Sequence, residues 1–222
     1  MAKTRHQENT LEIQIDTLSP ADAHKMLIGC IVPRPIAWIT TLNPDGSVNV
    51  APFSFFNGVC SSPPTISVSM SYGPGRRDGK KDTLLNIERE GEFVVNVVAE
   101  PHEGVMNESS CDFPEGMSEC VELGLGTVAS SALRTPRLAE SPISFECRLF
   151  KTVPVGDGPG SAVLVLGAIV CAHVRDELID DGLHIDVESL RPIGRLAGTS
   201  YCYVRDSFSL PRPSYSGRSS TV

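Results

Sequence analysis

Apolar positions along this chain recur mostly at every second residue, which is the period of strands. LEIQIDT (11–17) alternates and predicts an early strand. Ser19-Pro20 then offers an N-cap and a proline for the first turn, so a short helix is expected over 20–28. IAWITTL and SVNVAPF flank the turn-forming NPDG and predict a hairpin over 36–53. Within it, Pro52 is expected to break the ladder and open an irregular segment. TISVSMS alternates apolar with hydroxyl side chains, giving a strand with one greasy face and one small polar face. Asp82 or Thr83 is placed to cap a helix through LLNIERE, with Gly91 ending it. EFVVNVV predicts a further strand. ISFECRLFKTVPV and SAVLVLGAIVCAHV predict two long strands joined by the glycine-rich GDGPG. About six strands, few helices and no βαβ alternation point to a closed or nearly closed antiparallel barrel.

Composition narrows the classes of function. With 222 residues, 41% hydrophobic and 21% charged, one sizeable core can form without disulfides or metals. The division expected is an N-terminal segment (1–18), a single domain (19–205) and a Pro/Ser-rich tail (206–222). The formal net charge is -8, from 19 Lys and Arg against 27 Asp and Glu, which opposes a nucleic-acid-binding face. The longest apolar run, AVLVLGAIVCA, falls short of the roughly 20 residues that a membrane helix needs. MAKTRHQENT lacks the apolar core of a signal peptide, so a cytoplasmic protein is expected. Seven cysteines with no CxxC pair suit reduced thiols and offer no zinc site of usual spacing. Cys147 and Cys171 lie in apolar runs and read as small hydrophobes. The five histidines form no HxH or HExxH cluster, and no GxSxG occurs. Gly124-Leu125-Gly126-Thr127-Val128-Ala129 matches GxGxxA, but SECVEL before it and Pro136 after it are the wrong context for a dinucleotide turn.

Two stretches remain as candidate chemistry. GPGRRDGKKDT (73–83) gathers Arg76, Arg77, Lys80 and Lys81 among glycines at a predicted helix start, a combination that suits a phosphate. The same composition also suits a solvated loop. NVAPFSFFN (49–57) combines Pro52 with Ser54 and Asn57, so its backbone groups suit a flat polar heterocycle. A bulged edge strand with core phenylalanines explains it equally well.

The run PRPIAWITT (33–41) carries a further signal. It is followed by NVAPFSFFN, Pro63-Pro64, Lys81-Asp82-Thr83, Asn86-Ile87 and FVVN (93–96). Gly116-Met117-Ser118-Glu119, Glu146-Cys147, Gly167 and Gly194-Arg195-Leu196-Ala197-Gly198 come after these. In this order and spacing they resemble the flavin reductase-like family over about Cys30 to Tyr203. Cys120 and Ala197 depart from the pattern, standing where an aromatic and a glycine are common.

The resemblance implies a mainly β fold with a few short helices, a split antiparallel β-barrel of Greek-key type. It implies FMN as cofactor, NADH or NADPH as electron donor, and a homodimer with flavin at the interface. Lys81 and Thr83, with Arg76 or Arg77, would then hold the phosphate, beside Asp82. Thr40 and Thr41 would line the ribityl chain or flavin edge. Asn49, Ala51, Pro52, Phe53 and Ser54 would meet the isoalloxazine, and Ser67 and Ser69 would support the phosphate or ribityl hydroxyls. Arg195 or Tyr201 would reach the partner's flavin. The implied activity is an NAD(P)H-dependent flavin reductase that passes hydride to flavin N5, with no catalytic side chain and no metal. Its electrons would go to a partner monooxygenase, a metal complex or an electron carrier. An FMN enzyme with its own organic substrate, or a non-enzymatic flavin carrier, also fits this resemblance.

Overall fold

A computed structural model describes residues 3–5, 10–73 and 79–214. Strands β1 (Lys3–Arg5) and β2 (Leu11–Ile13) pair as a small ribbon. Helix α1 (Pro20–Cys30) starts where the Ser19 hydroxyl accepts from the Asp22 amide at 3.1 Å, with Pro20 in its first turn. β3 (Ala37–Leu42) and β4 (Val48–Phe53) form the predicted hairpin, turning at Gly46 with φ 85°. β5 (Phe56–Ser61) is a strand that the alternation did not announce, because FNGVCS is nearly all exposed. It pairs with β6 (Pro64–Ser71).

α2 (Asp82–Glu90) follows, and Gly91 in the left-handed region ends it. Its N-cap is Lys81, not Asp82 or Thr83, and the Lys81 side chain makes no capping hydrogen bond. β7 (Glu92–Val97) leads to the short helices α3 (Glu103–Glu108) and α4 (Glu119–Glu122). β8 (Thr127–Val128) and β9 (Arg137–Leu138) make a small pair. The Gly124–Ala129 stretch is therefore a turn into a two-residue strand, without the helix that a dinucleotide fingerprint needs. β10 (Ile143–Val155) and β11 (Ala162–Val174) form the long hairpin. α5 (Val187–Leu190), β12 (Ile193–Arg195) and β13 (Tyr201–Tyr203) complete the described elements.

One antiparallel seven-stranded sheet runs in the order β4-β3-β7-β10-β11-β6-β5. β3 skips to β7 and β6 to β11, so the β10–β11 hairpin lies between strands contributed by the first half of the chain. The sheet curls until β4 meets β6, and one core fills the barrel so formed. That core holds Ile39, Phe53, Val68, Leu84, Phe93 and Cys147. Gly167 is required there, because an added Cβ would sit 2.5 Å from Cζ of the fully buried Phe93. A second core, around Trp38, Val50, Met106 and Leu138, covers the opposite face of β3 and β4. None of the described helices is long and apolar enough to cross a membrane.

Pro52 does not break its strand as expected. It stays in β4, opposite Trp38, because β4 is a sheet edge. On that edge the Val50 amide donates to Glu119 Oε2 at 2.9 Å, and the Val48 carbonyl accepts from the Ser118 hydroxyl at 2.6 Å. The next outward position is Pro52, which has no N–H to leave unpaired. The Ser118-Glu119 pair of the sequence motif thus closes the edge to a further strand.

Candidate functional site

At the barrel's split, where β4 turns into β5, a cavity of about 290 Å³ opens. Its walls come from α1, the β4–β5 corner, β6, the start of α2, α3 and the segment around β12 and β13. A smaller cavity of about 50 Å³ adjoins it and shares Pro52, Lys81 and Ser110. The alternation of β6 explains part of the lining. Ile66, Val68 and Met70 point into the barrel core, so Ser69 and Ser71 fall on the cavity side.

Cations concentrate here, although the chain is acidic. Lys81 lines both cavities, with its ammonium 5.5 Å from the Phe53 ring centre. Arg195 lies over Tyr201 at 4.3 Å and donates to the Tyr201 hydroxyl and, at 2.6 Å, to the Gly198 carbonyl. His24 faces Phe55 at 6.1 Å. Arg34 is 5% exposed and lines the same cavity. Its Nη1 donates to the carbonyls of Ile28 at 2.8 Å and Ile31 at 2.7 Å, and its Nη2 to Leu196 at 3.0 Å. Its Nε is buried without a partner among the described residues. Burial, and then the nearby Arg195, push the Arg34 guanidinium below its usual range. A cavity with such walls favours an anion that also has a flat apolar surface.

Most of the residues proposed from sequence come together here. Pro52, Phe53, Ser54, Ser69 and Lys81 line the larger cavity. Asn49, Ala51, Asp82 and Thr83 line the smaller one. Three others lie elsewhere. Thr40 is fully buried on the opposite face of β3 and donates to the Pro136 carbonyl at 2.7 Å. Thr41 is also fully buried, and its hydroxyl accepts from the side-chain amides of Asn49 at 3.1 Å and Asn86 at 3.0 Å. Both are removed from the cavity because β3 is an interior strand with a core on each face. Ser67 shares a face with Ser69 but sits further along β6, with its hydroxyl 3.4 Å from the Asn57 carbonyl. Arg76 and Arg77 lie outside the described residues.

Sequence reasoning assigned no role to Arg34, His24 or Ser110, which all line the larger cavity. Arg34 had a signal, a charge inside the otherwise apolar and proline-rich PRPIAW. His24 and Ser110 had none.

Thr83 acts first as part of the frame. The Asn49 amide donates one N–H to Thr41 and the other, at 3.0 Å, to Thr83, tying α2 to β4. Thr83→Ala leaves that buried N–H unpaired, and an unfolding free energy lower by about 1–2 kcal/mol is expected. Urea denaturation measures it, and Thr83→Ser should restore most of the loss.

The family model described as "Flavin reductase like domain" matches residues 28–193. The fold is similar to that of nitrilotriacetate monooxygenase component B from Bacillus cereus, at 35% identity and TM-score 0.85, covering 90% of this chain and 98% of that one. It is also similar to 2-nitrobenzoate 2-nitroreductase NbaA from Pseudomonas fluorescens, at 33% identity and TM-score 0.82, over 94% and 99% of the two chains. A protein with a split barrel domain from Shewanella frigidimarina shares the architecture at 18% identity and TM-score 0.78, over 95% and 99%. The chain is thus a split-barrel protein with a cationic cavity at its split, and it belongs to the flavin reductase-like family, a family of flavin-related oxidoreductases.

Proposed function

We propose that this protein binds FMN in the cavity at the split and reduces it with NADH or NADPH. One observation carries the reading. Lys81, at the amino end of α2, lines the same cavity as Pro52, Phe53 and Ser54. Lys81 offers no side-chain acceptor to the first-turn amides of α2, so a phosphate there meets both an ammonium and a positive helix end. The β4–β5 corner then presents backbone and the Phe53 ring to a planar heterocycle. Bound there, FMN would supply the redox chemistry, taking hydride from the nicotinamide C4 at its N5. The protein's task is to hold the two rings in contact, which needs no acid or base side chain. Arg34, whose Nε has no partner among the described residues, and Arg195 give the wall a positive charge suited to the second anionic molecule.

The cavity of about 290 Å³ lies near the lower end for ligand sites, at about 300–1,000 Å³. This supports a homodimer in which a second copy of the chain completes the flavin site. The likeness to nitrilotriacetate monooxygenase component B supports delivery of electrons to a partner monooxygenase. A second reading is direct reduction of an organic acceptor at the same flavin. Phe55 and His24 would stack on an aromatic ring, and the nitroreductase likeness favours it.

Anaerobic addition of NADH and then NADPH to the FMN-loaded protein tests the proposal. Flavin absorbance that bleaches with either nucleotide, and reoxidises with added free flavin, is the expected result. Bleaching that reverses only with an organic acceptor favours the second reading. Absorbance that neither nucleotide changes overturns the NAD(P)H reductase reading in favour of a carrier. Protein that fails to take up FMN overturns all of these.

A further inference from the structure

We propose that Glu146, Cys171 and His173 form a zinc-binding site on the outer face of the β10–β11 ribbon. The register brings them together. Cys171 stands across from Glu146, and His173, two residues along the same strand, stands across from Ser144. Residues two apart on a strand share a face. The register shifts between Glu146 and Cys147, and such an irregularity re-aims the neighbouring side chains. One ligand atom from each of Glu146, Cys171 and His173 lies within 4.8 Å of the others.

The contacts distinguish coordination from a proton relay. Glu146 Oε1 is 2.5 Å from His173 Nε2, and Cys171 Sγ is 3.6 Å from that same nitrogen. A nucleophile–base–orienter relay places its partners on the two different ring nitrogens. Here both meet one nitrogen, so a carboxylate oxygen, an imidazole nitrogen and a sulfur converge on one point. A metal ion bound there replaces the Oε1–Nε2 hydrogen bond, the two atoms parting to make room for it.

The carboxylate is held ready. Glu146 is fully buried, and its oxygens accept from the amides of Ser131 and Ala132, each at 2.7 Å. Such outer contacts orient a ligand before the metal arrives. A thiolate, an imidazole and a carboxylate suit zinc, and three protein ligands leave a fourth position open. On binding, the Cys171 thiol releases its proton, and the Nε2 proton that His173 shares with Glu146 leaves that nitrogen, so the imidazole binds through Nε2 with its remaining proton on Nδ1. Thiolate and carboxylate then balance the charge of the dication. His173 also lines a cavity with Ser144, Arg137 and Arg175. Those two arginines favour hydroxide or a small anion as the fourth ligand. None of the site's residues lines the flavin cavity, so the inference stands apart from the reading above.

The absence of CxxC hid this set, since one ligand comes from the neighbouring strand. The test uses the full chain as purified, titrated with zinc chloride against a chromogenic chelator. Wild type and Cys60→Ser, an exposed cysteine elsewhere, are expected to take up a single equivalent per chain. Cys171→Ser, which exchanges one atom, and His173→Gln are each expected to lose it. Cobalt(II) should give a thiolate charge-transfer band in difference spectra that Cys171→Ser abolishes. No stoichiometric uptake by wild type, or uptake unchanged in both variants, overturns the proposal.

Discussion

Replacing Arg34 with methionine is expected to lower the unfolding free energy by about 3 kcal/mol, even though no carboxylate pairs with this arginine among the described residues. Three carbonyls depend on it: Ile28 and Ile31 near the end of α1, and Leu196 beyond β12. Hydrogen bonds from a charged donor contribute about 1.5–3 kcal/mol each. Water reaches these partly exposed residues and recovers some of that. Removing a buried charge beside Arg195 relieves a further cost. The remainder still lowers the melting temperature by about 6–12 °C for a chain of this size. Arg34→Lys should fall between the two, since one ammonium does not span two directions as a guanidinium fork does. Arg34 also joins α1 to the 195–198 segment, two walls of the cavity, so Arg34→Met should weaken FMN as well. A variant that melts with wild type would show that these carbonyls are satisfied without Arg34.

The barrel was legible because its strands obey simple rules. TISVSMS has a clean period of two, and the structure puts Ile66, Val68 and Met70 in one core and the serines opposite. NPDG and Gly91 mark a turn and a helix end by their backbone needs. β5 escaped because an edge strand exposed on both faces carries no alternation. The role of Pro52 was misread because its effect depends on whether a neighbouring strand lies beyond it, which is a tertiary fact. The expected cap at Asp82 or Thr83 failed for a similar reason, as the Thr83 hydroxyl accepts from the Asn49 side chain, 34 positions away.

The candidate site divides along the same line. Lys81 and the 51–54 corner are neighbours of motifs visible in sequence, and they do meet, across two adjoining cavities. Thr40 and Thr41 carry the hydroxyls such a site needs, but sequence does not say which strand is covered on both faces. Cys171 read as a small hydrophobe at the end of its apolar run, and His173 as one of five histidines in no cluster. Only the pairing of β10 with β11 sets Glu146 beside them.

Lys81→Ala should weaken FMN binding about 10–150-fold, the equivalent of one charge-assisted contact at about 1.5–3 kcal/mol. Lys80 supplies the control. Its ammonium is held by Glu88 at 2.7 and 2.9 Å, so Lys80→Ala removes a cation from the same loop without removing one from the cavity. If position decides, the two variants differ sharply, and only Lys81→Ala loses affinity in fluorescence titrations. If the loop merely supplies bulk positive charge, the two lose equally, and the losses vanish together as salt is raised. Lys81 is exposed beside the Phe53 ring, so its own effect also shrinks in added salt, and the comparison with Lys80 at low salt decides. Thr83→Ala belongs in the same series. Its loss should appear mainly in stability, because its hydroxyl accepts from Asn49, so an FMN affinity close to wild type would separate frame from ligand contact. Equal affinities in wild type, Lys80→Ala and Lys81→Ala would remove the phosphate from the amino end of α2. Among the described residues of the cavity, Arg34 and Arg195 would then be the cations left to hold it.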